Sequence, residues 1–181
     1  MTAESPRQPG YGAVDVHYLP DGGARAALVM AEDARFARIT GEYVVTVDQV
    51  SPYRPGHFYE RELPAVHAVL VGHVPGLLVV DGYVDLDPHG RPGLGAHAHA
   101  RFDVPVIGVA KTAFATATHA VAIRRGSATR SLYVTAVGLD LDQAADLVTA
   151  MAGPFRLPDA LRRVDALARG NVSPTTHGSG W

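Results

Sequence analysis

Three carboxylates and one lysine stand where chemistry is easiest to place. Asp15 sits between Val14 and Val16, and in a strand so flanked an ionised carboxylate without a partner would be costly. Asp81 closes the uninterrupted apolar run from Leu77 to Val80 and is followed by Gly82; functional groups of α/β sheets commonly project from such strand ends. Glu62 lies near the start of an apolar, helix-like segment carrying Leu63, Val66, Val69 and Leu70. These acids come from distant segments. Brought together they would make an all-oxygen site suited to Mg²⁺; taken singly, each could cap an element or pair with an arginine. Lys111 is the only lysine among 16 basic residues. In a composition that favours arginine, a surviving lysine points to a compact, mobile ammonium beside a phosphate or leaving oxygen, or to chance.

Ahead of Glu62 runs SPYRPGHFYERELP, from Ser51 to Pro64. Pro52 and Pro55 fix their own φ and bias the preceding residues towards extended backbone, so Tyr53 is presented on a stiff turn. An aromatic held this way could insert into a base stack. It could equally cap the core, with Glu62 an acid favoured by the helix dipole.

The segment PY-x-PG followed by Arg61-Glu62 and a helix resembles the endonuclease V family, repair nucleases that act at deaminated adenine. Further matches are A-V-D-V-H-Y around Asp15, V-V-D-G around Asp81, Gly93-Leu94-Gly95-Ala96-His97 against a G-hydrophobic-A-S-H segment, I-G-V-A-K ending at Lys111, and R-L-P-x-x-x-R from Arg156 to Arg162. The resemblance implies a ribonuclease H-like fold and a metal-dependent endonuclease of DNA repair, cleaving a phosphodiester 3′ to deoxyinosine. It implies Asp15, Glu62 and Asp81 as ligands of Mg²⁺, with Mn²⁺ a substitute, and Lys111 as the group on the scissile phosphate. It also implies nucleic-acid contacts at Pro52, Tyr53, Pro55, Gly56, Arg61, Gly82, Gly93, Gly95 and His97. An inosine-RNA endoribonuclease and a non-catalytic nucleic-acid-binding pseudonuclease are the alternatives. The chain departs from the family in three places. D-G-H-G becomes Asp81-Gly82-Tyr83-Val84, which places a branched side chain where a glycine lets backbone approach a flipped base. A family H-P pair becomes Asp87-Pro88. The histidine expected beyond the last strand falls near Val137, leaving Asp140 either to take a metal role or to cap the following helix.

The elements that must position these groups follow from the pattern of apolar runs and turns. Strands are expected at Gly12–Leu19, Ala24–Ala31 and Ile39–Val50, the first two joined through Pro20-Asp21-Gly22-Gly23, giving an antiparallel three-strand meander. A helix over 58–73 comes next, then buried strands at Leu77–Val80 and Val104–Val109 with a short helix at Gly93–Arg101 between them. Strands at Ala120–Arg124 and Leu132–Val137, and helices at Asp140–Met151 and Pro158–Ala168, complete an α/β chain with a mixed sheet and flanking helices. The expected organisation is a flexible lead over 1–10, one domain over 11–168 and a flexible tail over 169–181.

Composition narrows the function. The chain has no cysteine, which excludes disulfides, cysteine-zinc sites and cysteine nucleophiles and suits a reducing cytoplasm. No stretch approaches the roughly 20 apolar residues of a membrane span, and the polar N-terminus is unlike a signal peptide. A net charge of −2 argues against a broadly basic nucleic-acid coat, yet Arg101, Lys111, Arg124, Arg125 and Arg130 face only Asp103 across 101–130, so a local basic surface is expected. The spacing His97-Ala98-His99 is more readily read as packed or surface histidines than as a metal pair. No phosphate-loop lysine or G-x-S-x-G occurs. The sequence sets no oligomeric state.

Overall fold

A computed structural model describes residues 10–55, 57 and 59–176. Residues 1–9 of the expected lead, Gly56 and 177–181 of the expected tail lie outside the described residues. A seven-stranded mixed sheet runs in the order β3-β2-β1-β4-β5-β7-β6. β1 (Tyr11–Tyr18), β2 (Ala24–Ala31) and β3 (Ile39–Val47) form the meander, antiparallel throughout. The β1–β2 turn forms as expected, with Leu19 N–H donating to the Gly23 carbonyl at 2.8 Å. β3 stops at Val47 rather than Val50, because the chain bends back so that Val50 N–H bonds the Gly22 carbonyl.

β1 pairs in parallel with β4 (Leu77–Asp81), and β4 in parallel with β5 (Val106–Ala110). β7 (Leu132–Val137) and β6 (Val121–Ile123) extend the sheet antiparallel. Two apolar layers cover the faces. α1 (Tyr59–Leu70) and α2 (Leu94–Phe102) pack on the face carrying Val14, Leu78, Val80 and Val106. α3 (Leu141–Ala150) and α4 (Asp159–Arg169) pack on the face carrying Ala13, Val79, Ile107 and Val134. Alternation along each strand turns successive side chains to opposite layers, so the single sheet serves two cores.

Local chemistry sets the helix ends. Gly72, at φ +81°, ends α1 region three residues before Pro75, a stop that a β-carbon would oppose. Asp140 caps α3, its carboxylate accepting from Gln143 N–H at 3.0 Å. Gly170, at φ +79°, closes α4. The segment beyond α4 is tied to the body: Arg163 pairs with Glu42 at 2.7 Å and also donates to Ser173 O, and Thr175 N–H donates to Glu42. Among the described residues no helix is long and apolar enough to cross a membrane.

The basic stretch divides. Arg125 is 5% exposed, and its guanidinium donates to the carbonyls of Thr149, Met151, Gly153, Phe155 and Arg156. It is a clamp on the loop between α3 and α4 rather than part of a basic surface. A buried guanidinium needs such a ring of acceptors to offset its desolvation.

Candidate active site

The parallel register of β1 and β4 brings the first two acids together. Val14 pairs with Val80, so Asp15 and Asp81 occupy the next rung and, at equal parity, the same face. Lys111 lies two residues past Val109, the residue opposite Asp81, and so shares that face too. Its ammonium donates to Asp81 Oδ2 at 2.8 Å. Asp15 Oδ1 accepts from Val16 N–H at 2.8 Å. Glu62 comes from the first turn of α1, in the opposite layer, and lines one cavity with Asp81.

Electrostatics show how closely these groups meet. Burial, and then the charge of Asp81, push the Asp15 carboxyl up to about 7, against the opposing pull of Val16 N–H and Lys111. Burial also pushes Glu62 up to about 7; Asp81 adds to this, while Tyr18 and Arg61 oppose it. The Tyr18 hydroxyl approaches Glu62 without closing a full hydrogen bond, and Arg61 stacks 4.2 Å above the Tyr18 ring. Burial pulls the Lys111 ammonium down, but its bond to Asp81 and the fields of Asp81, Asp15 and Asp165 outweigh that and leave its pKa raised.

Asp165 is the acid that sequence reasoning missed. It sits on α4, bonded to Arg169 one turn on at 3.0 Å, and its charge is felt by both Asp15 and Lys111. The signal was an acid at the margin of an apolar stripe, beside buried Leu161, Val164 and Ala168. The positions expected to supply a fourth group are elsewhere. Val137 pairs with Val106 at the opposite end of β5 from Lys111, and Asp140 is committed to capping α3.

Among the described residues no three acids or histidines are arranged to grip an ion as they stand. Like charges repel, Asp81 is turned to Lys111, and Asp15 is held by backbone. The donor set nevertheless suits a hard divalent cation: carboxylates only, two of them raised by burial and by the charge of Asp81, with a single ammonium for counter-charge. Without a cation, stability should therefore fall as pH rises. Both acids bind protons more tightly in the folded chain than in the unfolded one, so the folded state is favoured below pH 4 and loses that advantage up to about pH 7. The loss should be of order several kcal/mol and should shrink in Mg²⁺, read by thermal melts across pH.

Beside Asp81 opens a cavity of about 190 Å³ bordered by Tyr59, Glu62, Gly82, Tyr83 and Gly93. Gly82 adopts φ +128°, and a β-carbon on Gly93 would lie 2.7 Å from the Tyr83 carbonyl, so both must be glycine. Val84, expected to intrude where the family has glycine, is fully buried and turns into the core instead. Gly95 gives it room: a β-carbon there would meet Val84 Cγ2 at 2.7 Å. Gly95 is thus a packing residue behind the wall. His97 stacks on Tyr59 at 3.6 Å, supporting the cavity from behind. Pro52, Tyr53 and Pro55 are exposed, Tyr53 to 55%, on the turn leading to α1. Arg61 faces Tyr18 rather than this turn.

An open sheet with a central β1 flanked by its hairpin partner and by parallel β4 and β5, with Asp15 and Asp81 side by side on the central strands, is ribonuclease H-like. A sequence model of the Endonuclease V family matches residues 3–139, and the chain belongs to that family. The Endonuclease V of Streptomyces avermitilis is 31% identical, over 93% of this chain and 84% of its own. That of Thermococcus kodakarensis is 34% identical, over 90% and 79%. The crystal structure of the S. avermitilis protein superposes with a TM-score of 0.75, at 29% identity, over 93% of this chain and 83% of that one. Ciona intestinalis Endonuclease V, solved with a 23mer DNA containing an inosine followed by a ribo-adenosine, shares the fold with a TM-score of 0.77 at 17% identity, covering 90% and 85%. The chain is therefore a nuclease of this family.

Proposed function

We propose that the protein is a divalent-metal-dependent endonuclease of DNA repair that works in the cytoplasm and cuts a strand 3′ to deoxyinosine. The observation that supports this reading is the ion pair of Asp81 with Lys111, with Asp15 on the next strand at the same rung and Glu62 and Asp81 both lining a glycine-walled cavity. Asp15, Glu62 and Asp81 would hold Mg²⁺ or Mn²⁺, with Asp165 contributing to the same negative field. The ion supplies a Lewis acid for the phosphate and an activated water. The chain does the rest. Lys111 places a positive charge on the scissile phosphate, exchanging its bond to Asp81 for phosphate oxygen. The flipped base enters between Tyr59 and Tyr83 over the backbone of Gly82 and Gly93, and Tyr53 fills the gap in the stack. Ciona intestinalis Endonuclease V, solved with DNA containing an inosine, supports inosine-containing DNA as the substrate. Inosine-containing RNA is the second substrate to assay.

The test is a cleavage assay on strands that differ only in inosine or adenine, with Mg²⁺ or chelator. A cut 3′ to inosine, leaving 3′-hydroxyl and 5′-phosphate and abolished by chelator, is the expected result. Binding to inosine strands without cutting in either metal would make the protein a pseudonuclease instead.

Two substitutions probe the contacts. Lys111→Arg should slow turnover while leaving the melting temperature unchanged, because a planar guanidinium cannot occupy the compact ammonium's place between Asp81 and phosphate. Tyr53→Ala should cost within about 0.5 kcal/mol of stability, as exposed positions do, yet weaken binding to inosine strands by roughly 1–3 kcal/mol, the worth of a base–aromatic stack. Paired melts and binding titrations read both effects on one sample; a large stability loss with unchanged affinity of the folded protein would return Tyr53 to the core.

A further inference from the structure

We propose that a second, strongly basic cavity beside the acids is a cradle for the phosphates of the strand on the 3′ side of the cut. The cavity, of about 380 Å³, is bordered by Lys111, Arg124, Arg130 and Arg156 with the hydroxyls of Ser131 and Tyr133, and no acid lines it. Arg124 and Arg130 are exposed, and among the described residues neither is in an ion pair. Arg156 donates to the carbonyls of Lys111 and Ser131, which fixes the loop after β5 against the start of β7, while its Nε is buried with no partner. Four cations and adjacent hydroxyls, with Asp81 behind Lys111 the one carboxylate paired to them and none in the lining, make an anion site. In a chain of net charge −2 such a concentration is not a general surface property.

Its position supplies the direction. Lys111 belongs to this cavity and bonds Asp81, and Asp81 belongs to the base cavity. The Asp81–Lys111 pair therefore separates a glycine-walled cavity that carries Glu62 and Asp81 from a cationic one. On the proposed function, on which this inference rests, the base occupies the first and the scissile phosphate lies at the pair. The strand beyond the cut then runs into the arginines. Phosphate contacts of this kind fix register without reading sequence, and here they would hold the nick at a set distance from the base. After cleavage the new 5′-phosphate remains beside Lys111 in the same basic surroundings.

The test is the double variant Arg124→Gln/Arg130→Gln, both side chains being exposed and its folding checked by thermal melt, with Arg38→Gln at the far end of the sheet as a charge control. Binding of single strands is measured in chelator, which prevents cutting. The strands carry one inosine, or adenine in its place, and either stop just 3′ of it, run several nucleotides further 3′, or run the same distance 5′. The wild-type protein should bind the 3′-extended strand about tenfold tighter than the short one, and the double variant should lose that preference. The slope of log affinity against log salt should fall by about 1.4 for the extended strand only, roughly 0.7 for each lost phosphate contact. An equal loss on the short strand, or a loss confined to the 5′-extended strand, overturns the cradle. If inosine and adenine strands bind alike while the 3′ preference and its loss persist, the base reading fails and the cradle stands.

Discussion

Asparagine at Asp81 should lower nicking by roughly 1,000-fold or more, with a melting temperature near that of the unaltered protein. The change keeps the side chain's shape and removes its charge. Two consequences follow from the geometry. Lys111 loses the anion that holds it at 2.8 Å, and the charge that helps to raise Asp15 disappears. The Asp15 carboxyl should therefore move down towards its ordinary range, a shift that NMR titration can read independently of activity. A variant that still cuts at a tenth of the normal single-turnover rate would remove Asp81 from the chemistry.

Alanine at Gly108 should be among the most damaging small changes in the chain. Gly108 lies mid-strand in β5, where its face is crossed by the segment after β4. An added β-carbon would stand 2.6 Å from both the Gly82 carbonyl and Thr135 Oγ1, and 2.8 Å from Val84 N. None of these can give way cheaply. Thr135 is buried and accepts the Val84 N–H at 2.9 Å, so moving it breaks that bond as well. The expected loss is about 1–3 kcal/mol from overpacking, with the lost hydrogen bond added, read from denaturant midpoints. Because the displaced segment begins one residue after Asp81, activity should fall further than the unfolded fraction explains. A variant of normal stability would mean that the crossing is looser than these contacts require.

Much of this was legible in the sequence. β1, β2 and β7 lie within a residue of their expected limits, since turns and unbroken apolar runs mark them. The same is true of the buried β4, where Asp81 proves to be the strand's last residue. The pairing of Asp15 with Asp81 was a matter of register, which alternation within one strand does not state. The glycine of I-G-V-A-K was visible as a pattern, but its reason, the Gly82–Val84 crossing, is tertiary. Val84 and Gly95 exchange bulk across a contact eleven residues apart in sequence, so the departure at Val84 was not interpretable alone. Asp165 was hidden for a similar cause. A helix places an acid on a face, and only the docking of α4 against β1 decides whether that face meets the other carboxylates. Arg125 shows the converse, since its charge suggested a surface that its five carbonyl partners exclude.

The most direct measurement of the central claim is anomalous diffraction from crystals soaked in Mn²⁺. A single strong peak contacting carboxylate oxygens of Asp15 and Asp81, within reach of Glu62 and lost in the Asp81→Asn protein, is the predicted result. Well-ordered crystals at saturating Mn²⁺ with no peak there, or with the ion bound only at surface carboxylates elsewhere, would contradict it.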